Sequence, residues 1–151
     1  MTTLLATVLE KAPMVVRSLL GLTFFVFGLN GFFDFLPQPP LPPEAGGFIG
    51  GLVSAKYLFP LLKGTEVVAG ALLLSGRFVP LALTLLAPII VNIVGFHLVL
   101  APSPGMVVFL LGTELYLAWA YRAAFRPLFQ ARFEPAPAAT KSAAQGRYAE
   151  A

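Results

Sequence analysis

A handful of polar side chains, set in a sequence that is otherwise strongly apolar, could do chemistry. Glu66 and Glu114 are carboxyl groups that could exchange protons as general acids or bases, and they are the candidate catalytic residues. Lys63 stands three residues before Glu66, so a helix would place both on one face, within reach of an ion pair. Asn30 and Asn92 supply amides, and His97, the only histidine, supplies the imidazole suited to proton exchange near neutral pH. Together these types could bind a quinone head. Lys63 or His97 would polarise a carbonyl, Asn30 and Asn92 would hydrogen-bond the ring oxygens, and a glutamate would give or take the proton. Each residue also has a plainer reading. Lys63–Glu66 could be a structural ion pair, Glu114 a neutral hydrogen-bonded acid, His97 an interface residue reaching headgroups, and the asparagines bridges between helices.

The elements that must position these groups follow from composition. Of 151 residues 58% are apolar and only 11% are charged, and the mean hydropathy is +0.84. Soluble domains run about 45–50% apolar and about 25% charged, so a water-soluble enzyme, a disordered chain and a collagen-like chain are excluded. The apolar share is about enough for four membrane helices at roughly 20 residues each. With no cysteine, the chain has no thiolate nucleophile, disulfide scaffold or iron–sulfur ligand of its own. One histidine is too few for a self-contained zinc or haem site, and no metal site is expected.

The run 78–113 holds no Asp, Glu, Lys or Arg. As one helix at ~1.5 Å per residue it would measure ~54 Å, against a hydrocarbon core of ~30 Å. It must therefore fold back, and Ala101-Pro102-Ser103-Pro104-Gly105 is its only breaker cluster. The spans expected are 14–33, 57–76, 78–100 and 106–125. Between the first two, prolines 37, 39, 40, 42 and 43 favour a stiff extended loop. After them, the segment 46–53 is apolar but too short to cross, so it reads as an interfacial or re-entrant helix. The chain then divides into an N-terminus at 1–13, a transmembrane domain at 14–126 and a flexible tail at 127–151.

Orientation comes from the positive residues. Lys11, Arg17, Arg77, Arg122, Arg126, Arg132, Lys141 and Arg147 fall on one side, with Lys56 alone opposite. By the positive-inside rule both termini are cytoplasmic. The first apolar run exceeds a signal-peptide core of ~7–15 residues and reads as a span, not a cleaved leader. With centres near residues 25, 67, 89 and 115, Glu66 and Glu114 fall at the midplane, with Lys63 and Asn92 ~5 Å further out. Asn30 is slightly further again, His97 is near the outer interface, and Arg17 is toward the cytoplasmic end. A charged group at such depth costs roughly 2.5–3.5 kcal/mol, which turns it toward the helix bundle interior. Lys63 could serve both carboxylates from there.

Certain of these runs resemble the DoxX family of small four-helix membrane proteins. They are Arg17-Ser18-Leu19-Leu20-Gly21-Leu22 and Gly28-Leu29-Asn30-Gly31-Phe32, then Glu66-Val67-Val68-Ala69-Gly70-Ala71-Leu72-Leu73-Leu74-Ser75-Gly76-Arg77. Pro88-Ile89-Ile90-Val91-Asn92 and Phe96-His97 complete them, and the resemblance covers roughly residues 14–125. It implies an all-α four-helix bundle in the bacterial cytoplasmic membrane, with Glu66, Asn92 and His97 at the family's polar positions and Arg17 as its first-helix arginine. The family takes its name from a thiosulfate:quinone oxidoreductase subunit, and other members resemble membrane anchors for soluble redox or sulfur-handling enzymes.

Two functions remain close. One is a quinone-linked redox subunit, in which the quinone carries the electrons. The other is a non-catalytic anchoring or assembly subunit of a larger membrane complex, suggested by small size, packing glycines and the segment 46–53. A transporter is the weakest reading, since one copy of four helices hardly encloses a pore and no repeat is visible. The lipid bilayer is the expected partner, with a membrane complex or a soluble redox enzyme beside it. Nucleic acid is not, because the tail's positive residues are sparse. Arg122, Arg126 and Arg132 suit anionic headgroups instead.

Overall fold

A computed structural model describes residues 2–37 and 40–132, with residues 2–9 as backbone only. Every regular element among them is helical. The first helix, α1, runs Thr2–Phe33 and takes Pro13 into its early turns, so it starts well before the span expected from residue 14. Its strongly apolar part is Glu10–Phe33. Asp34 ends it with a positive φ of 47°, a conformation that short polar residues tolerate. Its amide donates to the Asn30 carbonyl at 2.8 Å.

The short helix α2 is Pro43–Ser54, longer than the expected segment 46–53. Pro42 is extended and Pro43 opens the helix, where its missing N–H is no loss. The proline-rich stretch therefore stops being extended one residue earlier than its composition suggests. Helices α3 (Leu58–Ser75) and α4 (Val79–Val99) each lie within a residue or two of the expected spans. Gly76, at φ 72°, closes α3 in the left-handed conformation that glycine adopts without strain. Helix α5 is Pro104–Ala120, beginning two residues early because a proline again sits at a helix start. It does not continue to residue 125. After Tyr121 the chain bends by 77° into α6 (Arg122–Phe125) and a 3-10 turn, Arg126–Phe129. Most of the tail expected to be flexible, residues 133–151, lies outside the described residues.

Glu10–Phe33, Leu58–Ser75 and Val79–Val99 are long and apolar enough to cross a membrane, and α5 with its bent continuation makes up to four. Leu61, Val91, Val108 and Leu115 stand exposed on their outer faces. Such surfaces belong in lipid rather than water, and the chain is a multi-pass membrane protein in its bilayer. The hydroxyls agree with this setting. Ser18, Thr23, Thr65, Thr84 and Thr113 each donate to the carbonyl four residues back, at 2.7–2.9 Å.

Helix α1 packs on α3 and α5, α4 packs on the same two helices, and α2 rests against α3. The shared core holds Leu20 and Phe24 of α1, Leu73 of α3, Leu83, Leu86 and Ile90 of α4, and Leu110 and Leu117 of α5. The α1–α3 contact is antiparallel, with Arg17 against Gly76, Gly21 against Leu73, Gly28 against Val67 and Gly31 against Lys63. The two backbones nearly touch. A Cβ on Gly70 would lie 2.5 Å from the Phe25 amide nitrogen and 2.8 Å from the Gly21 carbonyl oxygen. Neither atom can move without moving its helix.

Gly70→Val should therefore force α1 and α3 apart and cost about 1–3 kcal/mol, as overpacking does. Thermal unfolding followed by circular dichroism in lipid nanodiscs would show it as a lower midpoint. Gly46→Ala in α2, where nothing lies within 4 Å of the new Cβ, should instead raise stability by about 0.5–1 kcal/mol, since alanine is the better helix former.

Candidate functional site

The Lys63–Glu66 pair forms as its spacing requires. Both residues lie in α3, one turn apart, and Nζ reaches Oε2 at 2.8 Å. The two are unequally buried: Glu66 is 2% exposed and Lys63 18%. Helix α1 makes room for the lysine. Its Cγ and Cδ pass 2.5 and 2.6 Å from where a Gly31 Cβ would be, so the stem lies in the notch that glycine leaves. The ammonium also stands 5.8 Å from the Phe59 ring centre, one turn back. The charged group thus has a carboxylate on one side and an aromatic face on another.

Asn30 is buried next to Gly31, at the level of Lys63 in the α1–α3 seam. Its Oδ1 accepts the Leu36 amide at 2.6 Å. That bond ties down the chain just after α1 and uses one acceptor of the amide. Asn30, Lys63 and Glu66 are the candidates that the fold brings together.

The other three share no hydrogen bond or ion pair with them among the described residues. Glu114 lies between Leu110 and Leu117 on the inner face of α5 and is buried, with an Oε2 that has no hydrogen-bond partner among the described residues. The expectation that Lys63 serves both carboxylates is not met, since its one ion pair among the described residues is with Glu66. A lysine held in the Gly31 notch and against Phe59 has its direction set by α1 and α3. His97 closes the end of α4, its Nδ1 3.1 Å from the Ala101 carbonyl oxygen. Its ring meets Phe96 edge-on at 5.2 Å, and Phe96 in turn touches Phe48 of α2 at 5.8 Å. Asn92 is exposed on the outer face of α4. Five residues along a helix turn Asn92 and His97 ~140° apart, so they do not point at one place.

Two features went unread in the sequence. Arg17 lays its guanidinium on Gly76, beside the C-terminal end of α3, where helix carbonyls favour a positive charge. Its Nε is buried without a hydrogen-bond partner among the described residues. Gly31 is the seat of the lysine stem rather than a general packing glycine. The signal for both was a shared antiparallel register, visible only when α1 and α3 are paired.

Chemically, the seam offers a half-buried ammonium donor beside a buried carboxylate, and α5 carries a second buried carboxyl group that makes no ion pair with Lys63 among the described residues. Breaking a buried ion pair costs far more than replacing both members. Lys63→Met should lower stability by about 3 kcal/mol, whereas Lys63→Met with Glu66→Leu should recover most of that loss. Denaturant unfolding of the three proteins in bicelles, read as a double-mutant cycle, checks the pair.

No family model, curated protein or solved structure matches the chain.

Proposed function

We propose that this protein is a DoxX-like four-helix bundle of the bacterial cytoplasmic membrane and a redox-linked subunit that meets a membrane quinone at the Lys63–Glu66 pair. In this reading α1, α3, α4 and α5 are the four spans, both termini are cytoplasmic and α2 lies at the outer interface. The runs that resemble the DoxX family fall on these helices, and Glu66 and Gly70 of its longest run face α1. The positive residues around Gly76 and after Tyr121 support the orientation.

The observation that carries the reading is the state of Lys63. An ammonium has three N–H donors, and here one is given to Glu66 while the side chain keeps 18% of its surface open. A carbonyl arriving from the lipid could accept a second donor without disturbing the pair. A quinone bound there would supply two-electron redox chemistry. Lys63 would hold the carbonyl and favour negative charge on its oxygen. Glu66, hydrogen-bonded to Lys63, would hold or release a proton beside it. Asn30, through the Leu36 amide, ties the chain after α1 beside the pair.

The second reading, an anchoring or assembly subunit, is favoured by a different observation. Asn30 Oδ1 and His97 Nδ1 are both engaged with backbone groups, as structural residues would be. Gentle purification from membranes, with mass spectrometry of the accompanying lipids and proteins, separates the two. The redox reading expects a stoichiometric quinone, retained by the native chain and lost at least tenfold in Glu66→Gln and Lys63→Met proteins that remain folded. A stoichiometric protein complex without quinone would instead establish the anchoring role.

A further inference from the structure

The outer face of α4 carries a polar group that no described residue satisfies. Asn92 is exposed there, three residues from the middle of the helix, and makes no side-chain hydrogen bond among the described residues. Thr84, on the same face, returns its hydrogen to the Pro80 carbonyl at 2.9 Å. The Asn92 amide has no such contact with its own helix. Its two N–H donors and its carbonyl would face hydrocarbon, which offers them nothing.

The residues around Asn92 form a seam. Leu81, Leu85, Pro88, Asn92, Gly95 and Val99 follow one another at alternating steps of four and three, and all six are exposed. That is the a/d repeat by which one helix packs along another, with Asn92 at an a position. At Gly95 nothing lies within 4 Å of where a Cβ would be, so a second backbone could approach closely. The opposite face of α4 is already occupied by α3 and α5.

We propose that α4 is the interface of a homodimer, in which two copies pack these helices in parallel and the two Asn92 amides hydrogen-bond across the two-fold axis. Three facts select a second copy as the occupant. All copies insert with the same orientation, so an axis along the membrane normal puts both Asn92 residues at one depth. An amide is at once donor and acceptor, and so satisfies its own symmetry mate. The seam has no charged residue with which an oppositely charged partner could pair. A single asparagine at an a position is also the known device for setting register and two-strandedness. The dimer stands apart from the quinone reading and depends on no part of it.

The absence of cysteine gives a clean test. Full-length single-cysteine variants in membrane vesicles would be oxidised with copper phenanthroline. Leu85→Cys and Val99→Cys should give disulfide-linked dimers, whereas Leu115→Cys on α5 and Val68→Cys on α3, both outward-facing, should not. In labelled vesicles Asn92→Leu should weaken the dimer about tenfold while helicity is unchanged, and Asn92→Gln should recover part of that loss. The proposal is overturned by cross-links at Leu115→Cys or Val68→Cys instead of α4, by a monomer in native mass spectrometry from lipid, or by a different protein on α4. An Asn92→Leu chain that dimerises as tightly as the native one also overturns it.

Discussion

In a bilayer, helices gain little from hiding apolar surface from one another, because lipid is as apolar as they are. Their association rests on close packing and on the polar contacts that close packing permits. In this protein that constraint is met at the seam between α1 and α3. Glycines at 21, 28 and 70 let the backbones meet, and Gly31 admits the stem of Lys63. The rest depends on that approach. With a bulkier residue at 31, the lysine would have to leave its place between the helices, and Glu66 would lose the neighbour that makes its burial tolerable. Arg17 closes the same seam at its far end, over the left-handed turn at Gly76.

Polar groups in the spans find their partners at short range. Hydroxyls bond back to their own helix, Lys63 reaches one turn along α3, and Asn30 and His97 fasten the backbone where α1 and α4 end. Those arrangements need few long side chains and no water. The exceptions stand out for that reason. Among the described residues, Glu114 keeps a buried oxygen unmatched inside the core, and Asn92 offers an unmatched amide to the outside. In a low-dielectric medium unmatched groups of this kind are costly, which is why they point to function or assembly.

The polar positions therefore divide into separate tasks. The α1–α3 seam joins an ammonium to a carboxylate, the α4–α5 turn uses an imidazole as a fastener, and α4 turns an amide outward. A single six-residue site would have needed all four helices to rotate their polar residues toward one axis. The seven-residue repeat of the outer α4 face and the placement of α3 and α5 against its inner face do not allow that for Asn92.

Much of the architecture was legible in one dimension because it depends on quantities a sequence carries locally. Apolar length set the membrane helices, the Ala101–Gly105 breakers set the reversal between α4 and α5, and an i, i+3 spacing set the Lys63–Glu66 pair. Helix ends were less accessible. Pro43 and Pro104 fell in the loop and breaker stretches, yet each opens a helix, where the lost N–H matters least, and Pro13 lies inside α1. The end of α5 at Ala120 and its 77° bend had no marker strong enough to predict. What only the tertiary structure decided is the rotation of each helix. Residue type and depth led to the expectation of Glu66 and Glu114 at the midplane with Lys63 and Asn92 ~5 Å further out, but which way each faces depends on the side its helix presents to its neighbours. That choice is made by contacts between residues far apart in the chain, such as Gly31 with Lys63 and Arg17 with Gly76.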